Sequence, residues 1–285
     1  MSAIVNISRF ITAHPLAREA PLRTWLRVFS WQIQSRLQDE VIWPWIEGQR
    51  LAVRKGMRGA TGNIYVGLHE FPDMMLLLHF LRKEDLFLDI GANVGTFTVL
   101  ASGVREATTW AFEPDPAALH ALTRNIELNG LCDRVVVHDC ALGDRDGSEL
   151  FTAGLDTMNR IASVGEENTR VVSVRMIDEL IGERRPVMIK MDVEGYEESV
   201  VRGAKHLLGR GDVKIVEIET VTPEVEEFFN RNEFRRGYYD PFGRHLTEYP
   251  HKGISSSNSL FVRDWDFVAS RLITGPSVNV LGRSL

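Results

Sequence analysis

The run Asp89-Ile90-Gly91-Ala92-Asn93-Val94-Gly95-Thr96 follows directly on the apolar stretch Leu86–Ile90, and it confines the chain to few folds. Two glycines in a turn that closes a short apolar run let the backbone reverse tightly. They also let a ligand approach main-chain N–H groups where the next helix begins. Such turns sit at the carboxyl edge of a parallel sheet, the edge at which open α/β proteins bind nucleotides. A dinucleotide site prefers the third glycine of G-x-G-x-x-G to admit a pyrophosphate. Only Gly91 and Gly95 are present here, which weighs against a dinucleotide.

Beyond Asp85 short apolar runs alternate with helical segments, the pattern of a mainly parallel sheet covered on both faces. Strands are predicted at Leu86–Ile90, Thr108–Phe112, 134–138, 187–191 and 213–218. Asp115-Pro116 supplies an N-cap and first-turn proline, Leu119, Leu122 and Ile126 form a stripe, and Gly130 closes the helix. Thr222-Pro223 opens another helix through Arg231. Residues 238–249 read as strand and loop and 258–263 as a final strand, so the sheet is expected to end in an antiparallel edge.

Carboxylates stand at three successive strand ends. Asp89 closes the first, and Ala111-Phe112-Glu113-Pro114 closes the second with an acid about 20 residues after the glycine turn, where it can accept from both hydroxyls of a ribose. Asp139-Cys140-Ala141 follows the third, where a carboxylate can accept a hydrogen bond from an adenine amino group. Each acid alone is equally well read as a turn cap or a solvated loop acid. Together they match what a crevice at a topological switch point requires of a nucleoside site.

In this order, residues 89–95, Ala111-Phe112-Glu113-Pro114, Ala141-Leu142-Gly143-Asp144 and Ile189-Lys190-Met191-Asp192-Val193-Glu194-Gly195 resemble the FkbM family of methyltransferases. The resemblance covers roughly residues 65 to 265, and its last motif is the specific one. It implies a class I, three-layer α/β/α, Rossmann-like fold with a seven-stranded sheet in the order 3-2-1-4-5-7-6. It further implies S-adenosylmethionine as methyl donor and usually a hydroxyl acceptor. The candidate cofactor set is then Asp89, Gly91, Ala92, Asn93, Gly95 and Thr96 of the turn, Glu113 and Pro114, and Asp139, Cys140 and Ala141.

In an extended strand, alternation puts Lys190, Asp192 and Glu194 on one side, toward the transferred methyl. An alcohol is too weak an acid to react unaided at neutral pH, so methyl transfer to oxygen needs a positioned base, a metal or strict orientation. These three are the candidate catalytic residues, with Asp192 the first choice for base or acceptor partner. The alternative makes Asp192 the N-cap of a helix over 196–208. No metal is assigned, although Asp192, Glu194, Glu217 and Glu219 form a hard oxygen set suited to a divalent cation. Residues 58–65 with His69-Glu70 read either as a lid over the methionine end or, more plainly, as a β-hairpin. His245 and His251, beside Tyr238, Tyr239 and Arg244, read as acceptor-pocket or surface residues.

Residues 1–60 are expected to form a helical cap and 61–285 the methyltransferase domain. The cap holds Trp25, Trp31, Trp43 and Trp45, and Leu22, Trp25, Leu26 and Phe29 recur at helical spacing. Packing of that stripe on the chain's own core is expected, with a membrane-surface or partner helix as the alternative, since Arg23, Arg27 and Arg36 suit anionic lipid. A net charge of −6 offers no footprint for a nucleic-acid backbone, so the expected partner is a small-molecule or saccharide acceptor. No apolar run is long enough to span a membrane, and charged residues near the start break up any signal sequence. Cys132 and Cys140 read as reduced thiols, which fits a cytoplasmic location. A nucleotide-dependent oxidoreductase and a binding protein with a vestigial pocket are the competing readings.

Overall fold

The first 60 residues build more than a helical cap. In a computed structural model that describes residues 3–152, 154, 159–162, 166–250 and 256–285, helices α1 (Ala3–Ala13) and α2 (Pro21–Leu37) lead into an antiparallel hairpin, β1 (Val41–Pro44) and β2 (Arg50–Val53). Helices α3 (Arg58–Val66) and α4 (Phe71–Phe80) follow. Where the sequence suggested a hairpin, α3 is helical because Ala60 and Ile64, one turn apart, are both fully buried against Trp31, Val41 and Leu51. Its Gly62 is required by packing, since a Cβ there would lie 2.6 Å from the His69 ring.

The stripe on α2 is the second correction. Thr24, Val28, Trp31 and Ser35 are the buried residues of that helix, whereas Leu22, Leu26 and Phe29 face solvent. A helix with apolar residues on two faces leaves periodicity unable to say which face meets the core. The core side is chosen by the large Trp31, which packs edge-on against Trp43.

The central sheet begins at β3 (Leu86–Ile90), which leads through the glycine turn into α5 (Thr96–Val99), extended by a π-helical turn over Leu100–Val104. Next come β4 (Thr108–Phe112), α6 (Pro116–Leu128) and β5 (Val135–His138). Asp115 caps α6 as expected, accepting from the Ala117 and Ala118 amides. An unanticipated side sheet then forms from β6 (Ala141–Leu142), β7 (Gly147–Thr152) and β8 (Thr169–Arg175), in the order β6-β8-β7. Helix α7 (Ile177–Ile181) returns the chain to β9 (Pro186–Met191).

The predicted helix over 196–208 is broken at Ala204 into α8 (Glu197–Gly203) and α9 (Lys205–Gly209). Strand β10 (Ile215–Ile218), helix α10 (Pro223–Arg231), strands β11 (Arg235–Asp240), β12 (His245–Thr247) and β13 (Ser259–Val262), and helix α11 (Trp265–Ile273) complete the layers. A small hairpin, β14 (Asn279–Val280) with β15 (Arg283–Ser284), follows them.

The sheet order is β12-β11-β13-β10-β9-β3-β4-β5. Strands β5, β4, β3, β9 and β10 are parallel, and β13, β11 and β12 are antiparallel additions. The expected seven-strand order is therefore present, with β12 as an eighth strand on the antiparallel edge. One apolar layer joins α4 and α11 to Phe87, Met188 and Ile215, and the other joins α8, α9 and α10 to Leu88, Ile189 and Val216. Alternation along the strands thus divides the core into a layer on each face. Among the described residues no helix is long and apolar enough to cross a membrane.

Candidate active site

The register of the sheet sets Asp89 opposite Lys190 and Lys190 opposite Glu217, so three ionisable side chains form one row across β3, β9 and β10. That row ends at a cavity of ≈ 280 Å³ on the carboxyl side of the strands. The glycine turn forms one wall. Gly91, at φ 79°, cannot be replaced without strain, because a Cβ would lie 1.9 Å from the Asp192 carbonyl oxygen.

Of the predicted cofactor residues, Asp89, Gly91, Ala92, Asn93, Thr96, Glu113, Pro114, Cys140 and Ala141 line this cavity. Two do not. Gly95 lies behind the turn at the start of α5, where its missing side chain makes room for Leu122. Asp139 is exposed and outside the lining; β5 ends at His138, and the next residue turns outward toward solvent.

Glu113 is 5% exposed, and its carboxylate accepts from the Asn93 and Asp115 amides, both at 2.8 Å. It therefore holds the glycine turn and the start of α6 to each other while facing the cavity. Burial pushes its carboxyl up to about 7, against the lowering effect of those two amides. Asp89 accepts from the Thr98 hydroxyl at 2.6 Å, and burial pushes it up to about 6. Cys140 is a free thiol in the wall, pushed up to about 11 by burial, and the other free thiol, Cys132, is exposed.

The candidate catalytic residues meet at the other end of the cavity. Lys190 Nζ donates to Asp192 at 2.7 Å, lies 4.0 Å from Glu70 and sits over the Phe97 ring at 4.6 Å. Burial pulls this ammonium down, but Asp192, Glu70 and Asp89 together outweigh burial and keep it charged. Asp192 is pushed up by burial and then held below its ordinary value by Lys190. It does not cap the following helix, since Tyr196 occupies that position and no side chain caps it. Glu194 stands past the end of β9 in the left-handed region, φ 53°, so its convergence with Asp192 follows from the turn and not from strand alternation.

Carboxylate oxygens of Asp192, Glu194 and Glu219 all lie within 4.8 Å of one another. Burial, then Asp192 and Glu194, push Glu219 up to about 8, and its protonated form hydrogen-bonds to Asp192. Glu217 is not part of this group: it is 1% exposed, one pleat deeper, near Asp73 and Lys190.

His69 and Glu70, read from the sequence as part of a lid or a hairpin, line the cavity from the turn before α4. The sequence reading missed Phe151, Asn159, Ile161, Tyr196, Ser257 and Asn258, which complete the lining from β7 of the side sheet and the segment after it, the turn before α8 and the segment before β13. Asn258 donates to Glu70 and Asp73, both at 3.0 Å, and Ser256 donates to Asp73, so α4 and the approach to β13 are clasped over the cavity. These contacts span more than half of the chain, and no local pattern announces them. His245 is exposed on β12, and His251 lies outside the described residues. Tyr239 and Phe242 pack on His79 and Phe71, and none of Tyr238, Tyr239, Phe242 or Tyr249 lines this cavity, although Tyr238 and Tyr239 line a separate one of ≈ 300 Å³.

The family model described as Methyltransferase FkbM domain matches residues 89–240. Hexuronic acid methyltransferase AglP of Haloferax volcanii is 31% identical over 146 residues, 50% of this chain and 59% of that protein. Methyltransferase 1 of Beauveria bassiana is 30% identical over 146 residues, 42% of this chain and 58% of that protein. The chain thus spans less than two thirds of the length of either curated relative. Among solved structures, a methyltransferase FkbM from Methylobacillus flagellatus is 20% identical with TM-score 0.44, covering 64% of this chain and 44% of that one. M. jannaschii TYW2 in complex with AdoMet is 14% identical with TM-score 0.42, covering 79% and 87%.

Proposed function

Since the chain belongs to the FkbM methyltransferase family, we propose that it transfers a methyl group from S-adenosylmethionine to a hydroxyl of a carbohydrate or small-molecule natural product. The observation that carries this reading is the charge of the cavity wall. Glu70, Asp89, Glu113, Asp115, Asp192, Glu194 and Glu219 line it, and among the described lining residues the basic side chains are Lys190, already paired, and His69. A cationic sulfonium with an ammonium group suits such a wall, and the pyrophosphate of a dinucleotide does not. The donor set also fits: Glu113 offers carboxylate oxygens to a ribose, and Phe112, Leu142, Phe151 and Ile161 offer apolar surface to a base.

When bound, S-adenosylmethionine supplies an electrophilic methyl carbon whose bond to sulfur breaks as the new carbon–oxygen bond forms. The chain's contribution is orientation and handling of one proton. Asp192, kept ionised by Lys190, accepts a hydrogen bond from the acceptor hydroxyl and aims its oxygen. The hydroxyl proton passes to the Asp192–Glu219 pair once Glu219 has given up its own proton, near pH 8, so that Glu219 takes it up as a stronger base than Asp192. Holding the reacting atoms in line removes several kcal/mol of barrier without further chemistry.

The acceptor class draws on the relative named for hexuronic acid and on the acidic rim, which repels a phosphate backbone. The test offers labelled donor to separate pools of saccharide, small metabolites, RNA and protein. Label in saccharide or small metabolites is expected. Exclusive label in RNA or protein overturns the acceptor class, and no transfer to any pool together with no calorimetric binding of S-adenosylmethionine overturns the whole reading.

A further inference from the structure

Helix α2 is apolar on two opposite faces. Its buried face holds Thr24, Val28, Trp31 and Ser35. On the other side Leu22, Leu26, Phe29, Ile33 and Leu37 recur every three or four residues along the 17-residue helix, each between 58% and 81% exposed. A single exposed leucine needs no explanation, but a continuous apolar line along a whole helix marks an interaction surface.

The charges around the line say what kind of surface. Before Asp39 the chain carries Arg9, Arg18, Arg23, Arg27 and Arg36 against Glu19 alone, although the whole molecule has a net charge of −6. Glu19 is paired with Arg283, and Arg27 is turned inward to the Ile64 carbonyl. On a helical projection exposed Arg23 and Arg36 stand on opposite margins of the line. A second copy of the same face is a poor match, because α2 has no acidic side chain to pair with the arginines that a two-fold copy would bring.

We propose that α2 lies flat on an anionic membrane surface, its apolar line entering the headgroup boundary and Arg23 and Arg36 reaching lipid phosphates. The helix is well placed to orient the enzyme. Its Arg27 Nε donates to Ile64 O at 2.7 Å and Gln32 donates to the Tyr65 hydroxyl at 2.8 Å, fixing α2 to α3. Gly59, in the first turn of α3, borders the active-site cavity. The inference rests on α2 alone and stands or falls independently of the methyl-transfer reading.

Flotation of the full chain with phosphatidylcholine vesicles, with and without phosphatidylglycerol, tests it. Binding is expected only to the phosphatidylglycerol vesicles and is expected to weaken with added salt. The double variant L26E/I33E is expected to remove binding with Tm unchanged, because both side chains are already exposed. Replacing Arg23 or Arg36 by glutamine is expected to lower partitioning about fivefold each. No flotation of the wild-type chain, equal flotation with both vesicle types, or a wild-type dimer by light scattering that L26E/I33E dissociates would each overturn the proposal.

Discussion

Lys190 and Asp192, two positions apart at the end of β9, are bound as donor and acceptor at 2.7 Å, with the ammonium end almost wholly out of solvent. The pairing decides what Asp192 can do. A carboxylate held ionised by a buried ammonium is a reliable hydrogen-bond acceptor but a weak base. Glu219 is pushed the opposite way by burial and then by Asp192 and Glu194, and in the proposed mechanism it supplies the basicity.

The first prediction concerns this division of labour. Asp192→Asn should leave donor affinity within a few fold and lower the single-turnover rate about a hundredfold or more. In the wild type the rate should rise as pH passes about 8, where Glu219 loses its proton, and Glu219→Gln should flatten that rise. A full rate in D192N removes Asp192 from the reaction. Loss of wild-type activity on chelation, restored by a divalent cation, would instead make Asp192, Glu194 and Glu219 metal ligands.

Glu113 ties the glycine turn to the start of α6 through two backbone amides and faces the cavity between them. Glu113→Ala should therefore weaken S-adenosylmethionine binding by about 1–3 kcal/mol and lower Tm, since the Asn93 and Asp115 amides lose their acceptor. Calorimetry and thermal melts read the two effects separately. Unchanged affinity in a folded variant places the ribose elsewhere.

How much of this was legible beforehand follows the range of the interactions. The turn at Gly91, the cap at Asp115 and the strand order rest on local chemistry and on motifs, and the residues that carry them stand where expected. Asp139 was placed by analogy with its strand end, yet one residue of outward turn puts it in solvent. The α2 face and the α3 helix were misread because both depend on which neighbour arrives. Trp31 meets Trp43, and Gly62 meets His69, through contacts that no sequence period contains. The clasp of Asn258 and Ser256 onto Asp73 is invisible for the same reason.

That clasp yields a prediction. Asn258→Ala removes donors from Glu70 and from buried Asp73, leaving Asp73 with Ser256. Stability should fall by about 1–3 kcal/mol. Because Glu70, Ser257 and Asn258 belong to the cavity rim away from Glu113, acceptor KM should rise while donor Kd stays constant. Equal weakening of both ligands would show that the clasp shapes the whole cavity and not its acceptor end.

The last prediction uses Glu217, which is 1% exposed and, among the described residues, has no hydrogen-bond partner on either carboxylate oxygen. Burial raises this carboxyl well above its ordinary value, Asp73 adds to the effect, and Lys190 opposes it without overcoming it. The folded protein therefore keeps a proton that the unfolded chain releases near 4.5. A group that binds its proton more tightly when folded contributes stability that is complete at low pH and is lost as pH rises from the unfolded value through the folded one. Burial raises Asp73 and Glu113 to about 7 in the same direction, so these carboxyls lower wild-type Tm as pH rises from about 5 to 8, opposed up to about pH 6.5 by His14 and His79, which burial keeps neutral in the folded protein. Glu217→Gln has the same shape and never ionises. Its Tm should match the wild type at the acidic end and exceed it at the alkaline end. Thermal melts of both proteins across that range decide the matter: parallel curves would mean that Glu217 carries a compensated charge in the folded protein, and a lower Tm for E217Q at every pH would mean that the carboxyl has a partner in solution that glutamine cannot replace.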